Sequence, residues 1–348
     1  MDSPSQLFPK CHREGCLEFA LSFSSGCWEH TNHEEYLSKI HQNIRGLADK
    51  PAFLLNMKKA HVSGLDFSRL DIHGSSFSQA RITNCAFIGT NLSDSDMIGA
   101  HLDSCDFIGS DIHCGNFTKA VFSSSSFSHS DLRGSYFVEA HFKDTDMMNA
   151  VLFDCVLWGA ELSGARNIKK NNFKNPDSKK LPPDCHLSET NILGAHESYR
   201  SVKHYFYSNG LYDAGSWAAY RQLTMERKHF FQKRDPRYIP SFLMDLLSGY
   251  TEKPHRVIIS SILIIAFFGV LYYLFSVPVY FLQNGGSGKA GFWDSLYFSF
   301  ITFTTVGYGD FTPKPVIWFR LLACAEAFSG PFMAGLYIFT LTRRYAAN

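Results

Sequence analysis

Four residues near the start of the chain carry metal-binding chemistry. Cys11, Cys16, Cys27 and His30 stand in the spacing C-x4-C-x10-C-x2-H. Thiolates and imidazole are the usual tetrahedral ligands of zinc. A segment so short and so poor in apolar residues gains most from a metal, which predicts structural Zn2+ within residues 1–35. His12 and His33 are rival ligands, and three free thiols in a reducing cytoplasm are the alternative reading. Near the other end, Thr304-Thr305-Val306-Gly307-Tyr308-Gly309-Asp310 sets two glycines where a backbone can take conformations that L-residues resist. Alone, the heptapeptide also reads as a glycine-tyrosine turn. No nucleophile–base constellation and no phosphate-binding loop is found, so the sequence does not read as an enzyme.

The flanks of the heptapeptide narrow its role. Residues 257–282 form a 26-residue stretch without charge. At 1.5 Å per residue this exceeds the roughly 30 Å hydrocarbon core of a membrane. Pro278 lies late in it and predicts a helix end near Ser276. Residues 316–342 form a second span whose only charges are Arg320 and Glu326. Between them, residues 291–304 read as a short helix with Asp294 in its first turn, where negative charge suits the helix dipole.

So flanked, residues 304–310 resemble the selectivity filter of tetrameric potassium channels, the T-V-G-Y-G loop whose carbonyl oxygens replace the hydration shell of K+. The C-terminal part is similar to a prokaryotic two-transmembrane potassium channel. The resemblance implies a homotetramer with K+ sites formed by Thr305, Val306, Gly307, Tyr308 and Gly309, and supported by Thr304 and Asp310. It makes residues 291–304 the pore helix, with Tyr297 and Phe298 as the aromatic cuff. Some members carry a pore-helix glutamate that pairs with the filter aspartate; here Ile301 stands there, so Asp310 must find another partner or stay solvated. Gly330 falls at the usual gating hinge and Pro331 follows, with a plain packing kink as the equal alternative. Glu326 either faces the pore or supports the filter from behind by bonding hydroxyls such as Thr302. The second is preferred, because acid rings below the filter are less common in the family. Many prokaryotic members hang a ligand-binding domain from the second span. Here only residues 345–348 follow Arg344, so soluble input is expected from the N-terminal side.

Lys253, His255 and Arg256 precede the first span, and Arg343 and Arg344 follow the second. This agrees with two cytoplasmic termini in a multi-pass protein of the plasma (inner) membrane. No arginine-rich sensor helix predicts steep voltage gating, and without a signal peptide no disulfide framework is expected.

A different rhythm fills residues 61–168. From Val62 to Leu162 an apolar residue recurs at every fifth position, and from Ser75 onward a small residue lies two places before it. Period five fits neither helix nor flat strand. The pattern resembles the pentapeptide-repeat family, a right-handed quadrilateral β-helix with four pentapeptides per coil. Phe67, Phe87, Phe107, Phe127 and Met147 should then form one interior column, and Phe77, Met97, Phe117, Phe137 and Leu157 another. Coils should lie about 4.8 Å apart, and the register breaks at Asn167. Residues 61–166 carry 13 acids against 6 bases. DNA mimicry, known in some pentapeptide proteins, fits a membrane tether badly, so no nucleic acid partner is expected. Spacer, scaffold and sensor roles stay open.

The remaining segments connect these parts. The sequence 26–30 resembles the C-x-x-H knuckles of bacterial zinc-binding segments. Residues 36–60 read as a helical lead-in, with an amphipathic helix over 33–47. Residues 169–239 read as a linker and a helical hairpin, with helices near 195–208 and 214–231 around the turn Asn209-Gly210. Residues 169–256 carry 15 bases against 9 acids, which suits anionic lipid headgroups. Residues 240–256 read as an interfacial helix, and 257–348 as the pore domain, with the filter at 305–309. The sequence thus describes a multi-domain membrane protein: a β-helix, a helical linker and a tetrameric K+ pore. It is expected to conduct K+ passively under control or assembly by its N-terminal part, with an unknown cytoplasmic ligand or protein as a further partner. The alternatives are a weakly selective cation channel or a membrane-tethered repeat scaffold.

Overall fold

A computed structural model of the chain describes residues 8–47, 51–174, 192–281 and 287–345. The chain divides into two compact units, Met1–His229 and Phe230–Asn348.

The first unit opens with irregular chain, held by a single antiparallel bridge between Lys10 and Phe19 and a 3-10 turn at Trp28–His30. Helix α1 (His33–Arg45) follows, its first turn capped by the Asn32 side chain, and buries Tyr36, Ile40 and Ile44. The rod is built on the five-residue rhythm. Strands β1 (His61–Ser63), β2 (Arg81–Thr83), β3 (His101–Asp103), β4 (Val121–Ser123) and β5 (His141–Lys143) stack as one parallel sheet, and each residue pairs with the one twenty later. Strands β6 (Thr145–Asp146) and β7 (Ala165–Arg166) pair at the same offset. Isolated parallel bridges such as Asp71–Asn91 and Asp96–Asn116 extend that offset to other sides.

Every fifth residue from Lys59 to Gly159 turns a corner with positive φ, whether glycine, as at Gly109, or not, as at Arg69 and Lys119. L-residues resist this region. The fixed corner is stabilised by coil-to-coil hydrogen bonds and by a filled interior. Phe67, Phe87, Phe107 and Phe127 stack with ring centroids 4.7 Å apart at each step, and Phe117 lies 5.0 Å from Phe137. These are the two columns expected. The small residues are buried beside them. Several of their hydroxyls reach backbone oxygens, Thr90 bonding Phe67 O and Ser135 bonding Ile112 O, both at 2.8 Å, as buried polar groups generally require; the buried Ser95 hydroxyl is an exception. The rhythm fails where the next corner falls at Asn167 instead of 164.

Both ends of the rod are covered. The parallel ladder already begins at Asn56, bridged to Ser76, and Leu55 and Met57 are fully buried. The helix ahead stops at Arg45, so part of the expected helical lead-in is rod. At the far end a 3-10 turn, Lys170–Phe173, places the buried Asn172 amide on the carbonyls of Met147 and Ala150. Helices α2 (Ile192–Ser208) and α3 (Tyr212–Gln232) form the expected hairpin. Ser198 Oγ accepts a hydrogen bond from Leu157 N at 2.9 Å, and Val202, Tyr205, Phe206 and Ala218 join the rod's core. Residues 175–191 of the expected linker lie outside the described residues.

The second unit begins with α4 (Tyr238–Ser248), ended by Gly249 in the left-handed conformation. Helix α5 (Pro254–Leu274) carries its proline in the first turn, where no hydrogen bond is lost. Its 21 residues span about 31 Å at 1.5 Å per residue. The helix ends close to Ser276, as Pro278 suggests: Leu274 is its last residue and Ser276 has φ +49°, while the rest of the uncharged stretch enters the strand β8 (Pro278–Phe281). Strand β8 pairs with β9 (Ser287–Lys289) and with β10 (Phe311–Pro313), on either side of α6 (Phe292–Phe303). Helix α7 (Ile317–Tyr345) closes the chain and runs through Pro331. Helices α5 and α7 are both long and apolar enough to cross a membrane.

Candidate functional site

The heptapeptide lies at the C-terminal end of α6. Gly291 caps that helix and its N–H donates to Asp294 Oδ2 at 2.8 Å, so the carboxylate sits at the positive end of the dipole. Opposite, Ile301 is buried against Tyr272, Val277 and Phe298. Its carbonyl accepts from Val306 N at 3.0 Å and Gly307 N at 3.3 Å, which turns the chain out of the helix. Thr305, Gly307 and Gly309 all have positive φ, at +59°, +53° and +80°. Residues 304–310 are exposed throughout; Val306 keeps 51% of its surface and Tyr308 73%. Asp310 is exposed, accepts from Phe311 N at 3.1 Å and has the Tyr297 side chain beside it. Tyr297 also touches the Phe311 ring, while Phe298 is buried on Tyr272. Beyond the heptapeptide, the β8–β10 pairing and the bond from Lys314 N to Val277 O fix the exit of the loop to the end of the first long helix.

Glu326 is fully buried behind this loop. Its carboxyl accepts from Tyr272 OH on α5 at 2.6 Å and from Ser299 Oγ on α6. Thr302, the hydroxyl suggested by the sequence, is not the partner; Ser299 lies one helical turn earlier. Both partners were missed, because α5 and α6 each carry other hydroxyls, such as Tyr273 and Ser295, that the sequence does not rank below them. Gly330 has a packing reason. A Cβ there would stand 1.7 Å from the Phe303 carbonyl oxygen, so the end of α6 presses directly on the α7 backbone. Gly269 plays the same part for Leu296, where a Cβ would lie 2.9 Å from Cδ1.

The four metal-type residues converge. The ligand atoms of Cys11, Cys16, Cys27 and His30 lie within 4.8 Å of one another, with Cys11 and Cys27 buried. His30 Nδ1 stands 3.4 Å from Cys11 Sγ and 3.3 Å from Cys27 Sγ, and the sulfurs of Cys16 and Cys27 are 3.9 Å apart. Burial opposes ionisation of Cys11, but the amides of Cys27 and Arg13 and the His30 ring outweigh it and lower the thiol to about 6. Burial holds the Cys27 thiol above its ordinary range. The rival ligands are engaged elsewhere, His12 with Ser25 O and His33 with Trp28 O. This donor set could bind a metal ion.

Comparison with known proteins assigns the two halves. Residues 261–347 match the ion channel family, and eight pentapeptide repeats match within residues 75–166. Two-pore potassium channel 1 of Arabidopsis thaliana is 49% identical over 53 residues, which are 15% of this chain and 14% of that protein. The chain thus spans a small fraction of that relative. Among solved structures, a pentapeptide repeat protein of the Arabidopsis thaliana thylakoid lumen is 18% identical, with 35% of this chain and 74% of that chain covered at a TM-score of 0.26. QnrB1, a plasmid-mediated fluoroquinolone resistance protein, is 17% identical over 32% of this chain and 64% of its own, at a TM-score of 0.22. The C-terminal part is an ion-channel domain of potassium-channel type, and the N-terminal rod is a pentapeptide-repeat solenoid. The chain is a membrane protein, and both families are non-enzymatic kinds of protein.

Proposed function

We propose that four copies of the chain close a ring of 305–309 segments and conduct K+ selectively and passively. One observation carries the reading: T-V-G-Y-G leaves the C-terminal end of a short helix between two apolar helices, with its glycines in the left-handed region and its side chains unburied in a single chain. Backbone oxygens so placed can replace an ion's water only when copies face one axis. In this reading Thr305, Val306, Gly307, Tyr308 and Gly309 supply the K+ sites, and Thr304, Asp310 and Glu326 hold the loop. Gly330 keeps α7 close to α6, and its role as a gating hinge is secondary to that contact. The chain crosses the plasma membrane twice with both termini in the cytoplasm, and the Cys11, Cys16, Cys27 and His30 set holds a structural Zn2+.

Control enters from the N-terminal side. The chain leaves the hairpin, passes through α4 and enters α5, and Arg256 ties these last two by bonding Asp245 Oδ1 and O at 2.9 Å. Movement of the hairpin or of α4 is therefore handed to the first span.

The test is the purified protein in planar bilayers. The expected reversal potential moves by about 59 mV per tenfold K+ gradient, the value for one charge, and replacing K+ by Na+ on one side displaces it strongly. Equal permeation by both ions would establish a weakly selective cation channel instead. Tetramers that pass no current would leave the scaffold reading.

A further inference from the structure

The N-terminal cluster has a second observation beside its ligand geometry: the segment that carries it is bound to the first coil of the rod. We infer that the ion held by Cys11, Cys16, Cys27 and His30 is a clasp, fixing residues 8–30 as a plug over a parallel strand edge that would otherwise lie open. This rests on the zinc reading above and adds what the ion is for.

The cluster fits the ion. Tetrahedral zinc with Zn–S near 2.3 Å and Zn–N near 2.0–2.1 Å implies about 3.8 Å between sulfurs and about 3.6 Å from sulfur to nitrogen. Three of the six separations are close to these values, 3.9 Å between the Cys16 and Cys27 sulfurs and 3.3–3.4 Å from His30 Nδ1 to the Cys27 and Cys11 sulfurs, and all six are within 4.8 Å. The Cys27 N–H points at Cys11 Sγ, 3.4 Å away, the kind of outer hydrogen bond that orients a thiolate ligand. Four protein donors complete a tetrahedron and leave no open position, which marks a structural rather than a catalytic site.

The plug needs such an ion. Its chain is nearly without regular structure, and among the described residues of 8–30 only Cys11, Ala20, Leu21 and Cys27 are buried apolar groups. Leu17 is 91% exposed. So small a core does not offset the entropy of ordering the segment. The ion would bind Cys11 and Cys16, in the segment bridged between Lys10 and Phe19, to Cys27 and His30 at the Trp28 turn, and so hold the loop 17–26 at both ends.

That loop completes the ladder. Within the rod, Ser76 sends its N–H to Leu55 O and accepts from Met57 N, so both its backbone groups face the coil before it. Asn56 stands one coil earlier and has no such coil. Ser22 takes that place: its N–H donates to Asn56 O at 2.9 Å, and its Oγ accepts from Asn56 N at 2.9 Å. The buried Asn56 side chain bonds Ala20 O at 2.7 Å. Glu18 pairs with Lys58 and Lys59, and Glu29 with Lys59. Trp28, between two ligands, stacks on His33 at 4.0 Å and lies 5.2 Å from His61 of β1. An uncovered edge of this kind is a template for pairing with another chain.

The experiment uses the full-length protein in detergent. Metal analysis is expected to give one zinc per chain, lost in Cys27→Ser and retained in Cys16→His, which preserves four donors. Hydrogen exchange at the Ser22 and Met57 amides is expected to quicken roughly tenfold or more in Cys27→Ser, as local opening becomes easier, with Phe87 and Phe107 unchanged. Chelation of folded wild-type protein should do the same, which guards against a variant that misfolds. Wild-type protein without zinc would overturn the zinc reading itself. Zinc that is present and removable, with exchange at Ser22 and Met57 unmoved, would overturn the clasp alone.

Discussion

Glu326 shows how a single carboxyl can tie the frame of the pore. An acid inside a membrane helix is costly unless partnered. Here Tyr272 comes from α5 and Ser299 from α6, so three elements meet at one side chain. Removing a partner while the rest stays buried leaves a polar atom unmet. Tyr272→Phe is therefore expected to cost about 1–3 kcal/mol, and Glu326→Ala more, since it strands two hydroxyls beside a void. Glu326→Gln keeps the shape and two polar atoms and should lie nearest to wild type. Thermal unfolding of the assembled channel, read beside its K+ over Na+ permeability ratio, checks that order. A Glu326→Ala protein matching wild type in both would remove Glu326 from the support of the filter. The sequence marked Glu326 because charge is rare in such a helix. It could not name the partners, which lie 54 and 27 residues away along the chain.

At the scale of elements, the rod and its break at Asn167 were legible, and the contacts that cover its ends were not. A column of stacked rings needs only that every twentieth residue repeat, and that rhythm is written locally. The rings of Phe87, Phe107 and Phe127 accordingly lie where the period puts them. Phe107→Ala is expected to cost about 3–5 kcal/mol, the usual loss for a buried phenylalanine. Ile108→Ser, one residue on and 39% exposed, should stay within about 0.5 kcal/mol of wild type. Chemical denaturation followed at the rod checks both, and equal effects would mean that the interior column does not carry its stability. The covers obey no period. Ser22 meets Asn56 across 34 residues and Ser198 meets Leu157 across 41, each through a single polar side chain. The strand after α5 was not foreseen for a related reason. Val277 and Pro278 look like membrane sequence, yet their backbone is claimed by the strand that follows the filter, a pairing that hydropathy cannot see. The convergence of Cys11, Cys16, Cys27 and His30 was legible because donor chemistry and spacing, not their surroundings, single them out.

For the whole molecule, the division into two units suggests how to separate permeation from control. The hairpin helices bury Val202, Tyr205, Phe206 and Ala218 in the rod's core, so a truncation that kept them would expose an apolar face and confound the result. Removing residues 1–229 instead leaves Phe230–Asn348, a unit with its own cores around Tyr272 and Val257. A domain shifts a gating equilibrium only by the difference in its interactions with the open and closed states. A regulatory N-terminal unit therefore predicts that truncated tetramers keep their K+ selectivity while their open probability changes, by about tenfold for each 1.4 kcal/mol of lost coupling. Single-channel recording measures both quantities in one experiment. Unchanged open probability in intact tetramers would reduce the rod to a spacer or an assembly scaffold. Failure to form tetramers at all would assign it to assembly, since the proposed ring of 305–309 segments closes only if something gathers four chains.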